Sequence, residues 1–240
     1  LESFRKKSKN YLYPSFETIA GSGPNGSIIH YKSNKNSNRI IKKNDVLLVD
    51  SGGQYKWGTT DITRTTISGK ASSSVKNNFT RVLKGHIAVA NYKLRNDTSG
   101  SKIDNEARKY LKRIGLNYAH GTGHGVGYFL NVHEGPHSIS KKNKINFKEG
   151  MIVSNEPGYY KKNKFGIRIE NLIYVIRDKD KIRFENLTMA PIDKDLIIQK
   201  NLNTIERKWL NDYHKAVYKN LRKSMNKIEA IELQKACSAI

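Results

Sequence analysis

Residues 45–68, DVLLVDSGGQYKWGTTDITRTTIS, contain two segments that have the composition of β-strands. Residues 45–51 form a short apolar run bounded by polar residues and glycine, and residues 59–68 are rich in threonine and isoleucine. Runs of this kind, separated by turn residues, are typical of two strands that pair as a hairpin. The pairing would bring Asp50, at the end of the first strand, within reach of Asp61, near the start of the second.

Farther along the chain, the hydrophobic pattern changes from strand to helix and back again. Residues 72–94 and 104–114 carry apolar side chains at helical spacing, and Gly115 follows the second segment as a stop signal. Residues 151–155 and 165–175 are strand-like and are joined by a turn-rich stretch. We therefore predict a second hairpin after the two helices.

The order of these elements predicts the fold class. Strands, two helices and strands in succession indicate an α+β fold in which helices cover a mostly antiparallel sheet. Residues 204–225 add an amphipathic helix that we expect to pack on this body or on a second subunit. We place a domain boundary near residue 185, so that residues 1–185 form the body and residues 186–240 form a mainly helical extension.

The composition excludes several classes of protein. The net charge of +23 is typical of nucleic-acid binders, but the basic residues are scattered and lack the interleaved aromatic residues of single-strand binders. We therefore expect no nucleic-acid partner. The single cysteine, Cys237, excludes an intramolecular disulfide and a cysteine-rich zinc site. No apolar run reaches the roughly 18 residues of a membrane helix, so we expect no membrane partner and a cytoplasmic location.

Four carboxylates are predicted to meet between the two hairpins. Asp50 and Asp61 come from the first hairpin, Glu156 follows the first strand of the second, and Glu170 lies on the last strand with Arg168 on the same face. Without cations, the repulsion among four carboxylates would raise their pKa values and destabilise the fold. Two divalent cations would cancel these charges.

A glycine-rich segment offers a nitrogen ligand to the same place. Residues 120–127, HGTGHGVG, have glycine at alternate positions, which disfavours a helix and indicates a loop or a distorted strand. A histidine from this segment would complete the ligand set. One imidazole with several carboxylates favours Mn²⁺ or a similar ion in a two-metal site with the ions about 3.5–4 Å apart.

Five stretches of the chain resemble, in order, the catalytic-domain motifs of aminopeptidase P, the Xaa-Pro aminopeptidase of the creatinase-like pita-bread metallopeptidases (peptidase family M24). They are SGPNGSIIHY (22–31), LLVDSGGQYKWGTTDITRT (47–65), HGTGHGVGYFLNVHEGP (120–136), MIVSNEPGYY (151–160) and GIRIENLIYVI (166–176). The segment WLNDYH (209–214) is similar to the tail of the larger aminopeptidases P. The resemblance implies the pita-bread fold, a curved antiparallel sheet covered by helices.

The resemblance also implies a role for each matching residue. The metal ligands would be Asp50, Asp61, His124, Glu156 and Glu170, with Asp61 and Glu170 bridging two ions, most often manganese, with Zn²⁺ and Co²⁺ as alternatives. The catalytic residues would be His30, His120, His133, Glu156 and Arg168. Glu156 would take a proton from the metal-bound water and so leave the bridging hydroxide that attacks the peptide bond. The three histidines would hold substrate and assist at the leaving nitrogen, and Arg168 would orient a ligand carboxylate. The substrates would be peptides with proline at the second position.

Members of this family carry further domains before the catalytic domain, whereas this chain begins at LESFRKK. We therefore expect an N-terminally truncated catalytic domain, and as partner either a second copy in a homodimer or a complementary N-terminal chain.

Three hypotheses about function follow. An active Xaa-Pro aminopeptidase is favoured by the intact ligand residues. A catalytically impaired remnant or partner-dependent fragment is favoured by the absent N-terminal part. A non-enzymatic pita-bread binding domain is disfavoured, because such relatives typically lose metal ligands. Prolidase and methionine aminopeptidase share the five-ligand pattern, but the SGGQY…GTTDITRT stretch and the NVHEGP segment indicate aminopeptidase P instead.

Overall fold

The structure is a computed structural model that describes residues 1–179 and 181–240. Within these residues the chain forms short strands that are interrupted by two long helices and followed by two more. The strands are Tyr11–Pro14 (β1), Ile19–Ser22 (β2), Val46–Ser51 (β3), Gly53–Tyr55 (β4), Gly58–Thr59 (β5), Ile62–Ile67 (β6), Gly123–His124 (β7), Ser138–Ile139 (β8), Ile152–Asn155 (β9), Gly158–Lys161 (β10), Phe165–Arg168 (β11), Asn171–Asp178 (β12) and Lys181–Asn186 (β13). The α-helices are Glu2–Arg5 (α1), Ser73–Ala90 (α2), Gly100–Lys112 (α3), Thr204–Leu221 (α4) and Lys227–Ala236 (α5).

The predicted first hairpin is present as an antiparallel pair of β3 and β6, in which Asp50 lies opposite Thr63. Strand β2 adds to the other edge of β3. The prediction of one strand over residues 59–68 is wrong in one respect, because Thr59 pairs with Gln54 in a small separate hairpin and β6 begins only at Ile62. Asp61 therefore lies just before the ladder.

The predicted second hairpin is also antiparallel, but it divides between two sheets. Strand β12 pairs with β9, whereas β11 pairs with β10. The single strand predicted over residues 165–175 is therefore two strands with a break at Ile169 and Glu170. The break arises because the backbone N–H of Glu170 leaves the hairpin and donates to the carbonyl of Thr63 at 3.1 Å. Glu170 is thereby fixed against the first hairpin.

The two predicted central helices are confirmed, with shifted ends. Helix α2 begins after Ser72, whose side chain accepts a hydrogen bond from the N–H of Val75, and it ends at Ala90 instead of residue 94. Helix α3 packs against α2 at Gly85, where a Cβ atom would lie 2.3 Å from the carbonyl oxygen of Ala107. Glycine is required there because any side chain would separate the helices.

The larger hydrophobic core joins the sheets to the helices. Ile167 and Ile169 are fully buried in it with Phe79 of α2, and so are Leu210 and Val217 of α4. Burial of five such side chains contributes on the order of 10 kcal/mol to folding, taking about 2 kcal/mol for each. The segregated elements and antiparallel pairing confirm the α+β fold class. The division of the chain near residue 185 stays a prediction.

Among the described residues, no helix is both long enough and apolar enough to cross a membrane.

Candidate metal centre

A cavity of about 600 Å³ opens between the two hairpins and the glycine-rich segment. Its volume suits a small peptide or similar ligand. All nine residues that the sequence predicted for the site line this cavity, and they are His30, Asp50, Asp61, His120, His124, His133, Glu156, Arg168 and Glu170. Side chains that are far apart in the sequence therefore face one space.

Three of these residues are close enough to hold one ion. Asp61, His124 and Glu170 each offer a ligand atom, and the three atoms lie within 4.8 Å of one another. The Nε2 atom of His124 is 3.3 Å from a carboxylate oxygen of Asp61 and 3.3 Å from one of Glu156. Atoms that share a small divalent ion lie about 3 to 3.5 Å apart, because each is about 2.1 Å from the ion.

The backbone fixes the orientation of the His124 ring. Its Nδ1–H donates to the carbonyl of Gly125 at 2.9 Å, which leaves Nε2 free to face the carboxylates. Gly123 brings this backbone against β9, because a Cβ atom there would lie 1.8 Å from the carbonyl oxygen of Ser154. Burial opposes a positive charge on His124, but the hydrogen bond to Asp61 and the charges of Glu156 and Asp61 raise its pKa to about 9.

Asp50 lies at the end of β3 on the opposite side of the site. Its Oδ2 atom accepts a hydrogen bond of 2.5 Å from Nη2 of Arg168, and both side chains are buried. Burial raises the pKa of Asp50 to about 6, the Arg168 charge lowers it, and the charge of Asp61 raises it further. The Oδ1 atom of Asp50 is buried and has no hydrogen-bond partner among the described residues.

The two glutamates have strongly raised pKa values. Burial and the nearby carboxylates raise the pKa of Glu170 well above its ordinary value. Burial raises the pKa of Glu156 to about 7 against the lowering effects of His124 and Arg168. In a protein without a metal ion, these carboxyl groups gain protons because their anions lack enough positive charge nearby.

The donor set therefore fits divalent cations. Oδ1 of Asp50 and Oδ1 of Asp61 are both buried without a hydrogen-bond partner in the described structure. Buried carboxylate oxygens without partners are costly, and a cation would satisfy both the charge and the vacant lone pairs. Four carboxylates and one imidazole are a hard, oxygen-rich set of the kind that binds Mn²⁺ and similar ions.

The three other predicted histidines occupy different parts of the cavity. Nε2 of His120 lies 2.9 Å from the Tyr160 hydroxyl, and burial and the Arg168 charge lower the pKa of His120 to about 3, so that its ring is neutral at pH 7. The ring centroids of His133 and His124 are 3.9 Å apart. His30 is exposed at the cavity wall.

Two residues that sequence reasoning missed connect the site. Thr63 donates to Glu170 at 2.6 Å and accepts from Nε of Arg168 at 3.0 Å. The Tyr160 hydroxyl accepts from Nη1 of Arg168 at 2.6 Å and faces His120. Asp61 and Thr63 are two residues apart, which is the spacing of side chains on one face of a strand. This spacing could have identified Thr63 as a neighbour of the site.

An antiparallel α+β fold that brings four carboxylates and a histidine to one cavity has the features of a two-metal hydrolase. The sequence model of metallopeptidase family M24 matches residues 1–177, and the model of the C-terminal region of peptidase M24 matches residues 181–240. The chain belongs to metallopeptidase family M24.

Relatives of known name agree with this membership. The chain is 48% identical over 225 residues to a probable Xaa-Pro aminopeptidase P of Laccaria bicolor, a match that covers 89% of this chain and 35% of that protein. It superimposes with a TM-score of 0.94 on the X-prolyl aminopeptidase of Caenorhabditis elegans, described as a cytosolic enzyme with a dinuclear active site, at 36% identity and with 100% of this chain and 41% of that one covered. A prolidase of Thermococcus sibiricus matches less well, with a TM-score of 0.70, 35% identity and coverage of 82% and 50%.

These likenesses confirm the pita-bread fold and the resemblance to aminopeptidase P. The chain spans 35% of the length of the Laccaria protein and 41% of the C. elegans chain.

Proposed function

We propose that this chain is the catalytic part of a dinuclear-metal aminopeptidase that hydrolyses the bond between an N-terminal residue and a following proline. The observation that carries the proposal is the cluster of buried carboxylates around His124, in which two carboxylate oxygens have no hydrogen-bond partner among the residues that the structure describes. Cations stabilise a set of this kind, because without them its carboxylates repel one another or must take up protons.

The proposed metal ligands are the five residues Asp50, Asp61, His124, Glu156 and Glu170. Asp61 and Glu170 are the proposed bridging ligands, a role supported by the position of Asp61 between His124 and the other carboxylates. When bound, two cations lower the pKa of water and polarise the scissile carbonyl group. Manganese is the proposed metal, because the ligand set is rich in carboxylate oxygen.

The side chains around the ligands perform the remaining steps in this proposal. Glu156 accepts a proton from the attacking water, a role supported by its place in the cavity wall, where its carboxylate lies 3.3 Å from Nε2 of His124. Arg168 orients Asp50 through the hydrogen bond of 2.5 Å. His120 of the glycine-rich segment, His133 of the following loop and His30 all line the cavity in which the substrate is proposed to bind.

Proline at the second position is the proposed specificity. Its nitrogen carries no N–H and its ring fixes φ, so enzymes that bind an extended, hydrogen-bonded backbone handle this bond poorly. The fit to the C. elegans X-prolyl aminopeptidase, closer than the fit to the prolidase, supports the aminopeptidase assignment. Because the C. elegans neighbour is described as cytosolic, we infer a cytosolic location for this chain. The proposed partner is a second copy in a homodimer or a complementary N-terminal chain.

The test is hydrolysis of a peptide with proline at its second position by the purified 240-residue chain in Mn²⁺, with an Ala-Ala peptide as control. We expect release of only the residue that precedes proline, and we expect a chelator to abolish it. Equal cleavage of both peptides, or cleavage that survives the chelator, would contradict the proposal. A folded chain that binds two Mn²⁺ ions without cleaving either peptide would support the partner-dependent alternative.

A further inference from the structure

Arg64 lies three residues after Asp61 and makes the most extensive set of hydrogen bonds near the site. Its Nε donates to the carbonyl of Pro191 at 2.9 Å, and Nη1 donates to the carbonyls of Thr63 at 2.9 Å and Glu170 at 2.6 Å. Its Nη2 donates to Asn171 Oδ1 and to two groups of the C-terminal region (residues 186–240), the carbonyl of Ala190 and the hydroxyl of Tyr213. All three guanidinium nitrogens are therefore used.

The acceptors of Arg64 are neutral. Backbone carbonyls, one amide and one hydroxyl surround it, and no carboxylate accepts a hydrogen bond from it within the residues that the structure describes. Arg64 is therefore not the cation of a salt bridge in the described structure, and its hydrogen bonds join separate backbone segments instead. A rigid fork of five N–H groups that bonds several backbone carbonyls fixes the relative positions of those segments.

One of these carbonyls belongs to Glu170, at the break between β11 and β12. The break leaves the backbone of Glu170 outside the sheet ladders. Its N–H donates to the carbonyl of Thr63, and its carbonyl accepts from Nη1 of Arg64. The same residue's side chain accepts from the Thr63 hydroxyl at 2.6 Å. Strand β6 therefore holds Glu170 at three points, of which Arg64 supplies one.

The other end of the Arg64 network lies on α4. Nη2 of Arg64 donates to the Tyr213 hydroxyl at 3.0 Å. The hydroxyl oxygen lies 3.0 and 2.9 Å from the carbonyl oxygens of Thr188 and Ala190, which are acceptors for its single proton. The Tyr213 ring stacks on Trp209 with centroids 5.3 Å apart and an interplanar angle of 5°. Tyr213 is thus held in one orientation by its own helix.

We propose that Arg64, itself held by Tyr213 of the C-terminal region, is a positioning residue that sets the place of the Glu170 carboxylate and thereby the affinity of the site for metal. This inference rests on the proposed function, since it takes Glu170 as a metal ligand. It also gives the C-terminal region a role in metal binding although that region lines no part of the cavity described above.

The test measures Mn²⁺ affinity and stoichiometry by equilibrium dialysis on folded chains, in parallel with thermal unfolding without metal. We expect Arg64→Gln to weaken Mn²⁺ binding about 10–100-fold, the loss typical when a group that orients a metal ligand is removed. Arg64→Lys is expected to bind Mn²⁺ as weakly as Arg64→Gln, because a single ammonium group cannot reproduce the fork. Tyr213→Phe removes only the hydroxyl and should produce a smaller loss in the same direction.

Thr66→Val is the matched control. Thr66 lies on the same strand and the same face as Arg64, and its hydroxyl donates to Asp193 of the C-terminal region at 2.8 Å without contacting Glu170. We expect this variant to bind Mn²⁺ with the wild-type affinity. A purely structural role for Arg64 would lower the melting temperature and leave the affinity of the folded protein unchanged.

Wild-type affinity in folded Arg64→Gln would overturn the inference and leave the proposed function standing. If Arg64→Gln does not fold, Tyr213→Phe decides, and unchanged affinity in that variant overturns the inference. A wild-type chain that binds no Mn²⁺ would overturn the metal site itself, so the two failures are distinguishable.

Discussion

The guanidinium of Arg168 and the carboxylate of Asp50 form a buried pair at 2.5 Å, although 118 residues separate them in the sequence. The exposed fractions of the two side chains are 2% and 11%. Because neither group has access to much water, the Arg168 charge is a main factor that favours the ionised form of Asp50.

Loss of Arg168 should therefore destabilise the metal-free protein strongly. We expect Arg168→Met to lower the free energy of unfolding by about 3–5 kcal/mol, because it leaves a buried carboxylate without its partner. Urea unfolding in the presence of a chelator measures this change. The double variant with Asp50→Asn is the control, and it should recover most of the loss; a double variant as unstable as the single one would show that the pair is not the cause.

Removal of a proposed bridging carboxylate should separate metal-free stability from metal binding. Glu170 has a raised pKa in the folded metal-free protein, so at neutral pH the folded state must hold a proton that the unfolded chain releases. Glu170→Gln removes this cost, and the metal-free variant is therefore expected to unfold at a higher temperature than wild type. Mn²⁺ should stabilise wild type by about 2.7 kcal/mol at 100 times its Kd, and should stabilise the variant far less. Thermal unfolding with and without Mn²⁺ checks both statements, and full Mn²⁺ stabilisation of the variant would refute the bridging role.

Substitution of His120 should affect turnover and not metal content. His120 contacts Tyr160 at 2.9 Å, and its Nδ1 lies 3.9 Å from the nearest Glu156 oxygen, beyond hydrogen-bond distance. We expect His120→Ala to lower kcat/KM for an Xaa-Pro peptide about 100-fold, the lower end of the effect of a positioned proton-transfer group. Metal analysis of the same preparation should give the wild-type value. A variant that loses metal would identify His120 as a ligand instead.

The buried His214 should make the fold sensitive to acid. Its Nε2 accepts the N–H of Ile192 at 3.1 Å, and burial lowers its pKa to about 4. The unfolded chain, with a histidine pKa near 6.5, binds the proton more readily, so stability is full above pH 6.5 and falls as the pH drops toward 4. At pH 5 the loss from this one group is about 2 kcal/mol.

His214→Gln is the matched variant for this measurement, because glutamine has an oxygen that can accept the same N–H but does not titrate. Urea unfolding at pH 7.5 and pH 5 should show a smaller decrease for the variant than for wild type. His86, whose pKa burial lowers to about 3, contributes equally to both proteins. Equal decreases in the two proteins would contradict the prediction.

The sequence predicted which side chains line the cavity, whereas it predicted the ends and the break of the strands less accurately. Asp50 and Asp61 could be placed together because a hairpin follows from local composition, and the structure brings both into one cavity. The break at Glu170 could not be predicted, because residues 165–175 read locally as one apolar strand and the break depends on a hydrogen bond to Thr63, more than a hundred residues away. The same limit applies to Arg64, whose partners lie on distant segments that no local pattern identifies.

The hydrogen bond between Arg64 and Tyr213 joins residues 149 positions apart. At about 5–20 residues per second, a ribosome needs roughly 7–30 s to synthesise that length of chain. During this interval the nascent β6, with Asp61 just before it, lacks its contact with Tyr213. If Arg64 positions Glu170 as proposed above, this network forms only after Tyr213 has been translated, so the site would reach its final geometry later than its first carboxylates are made.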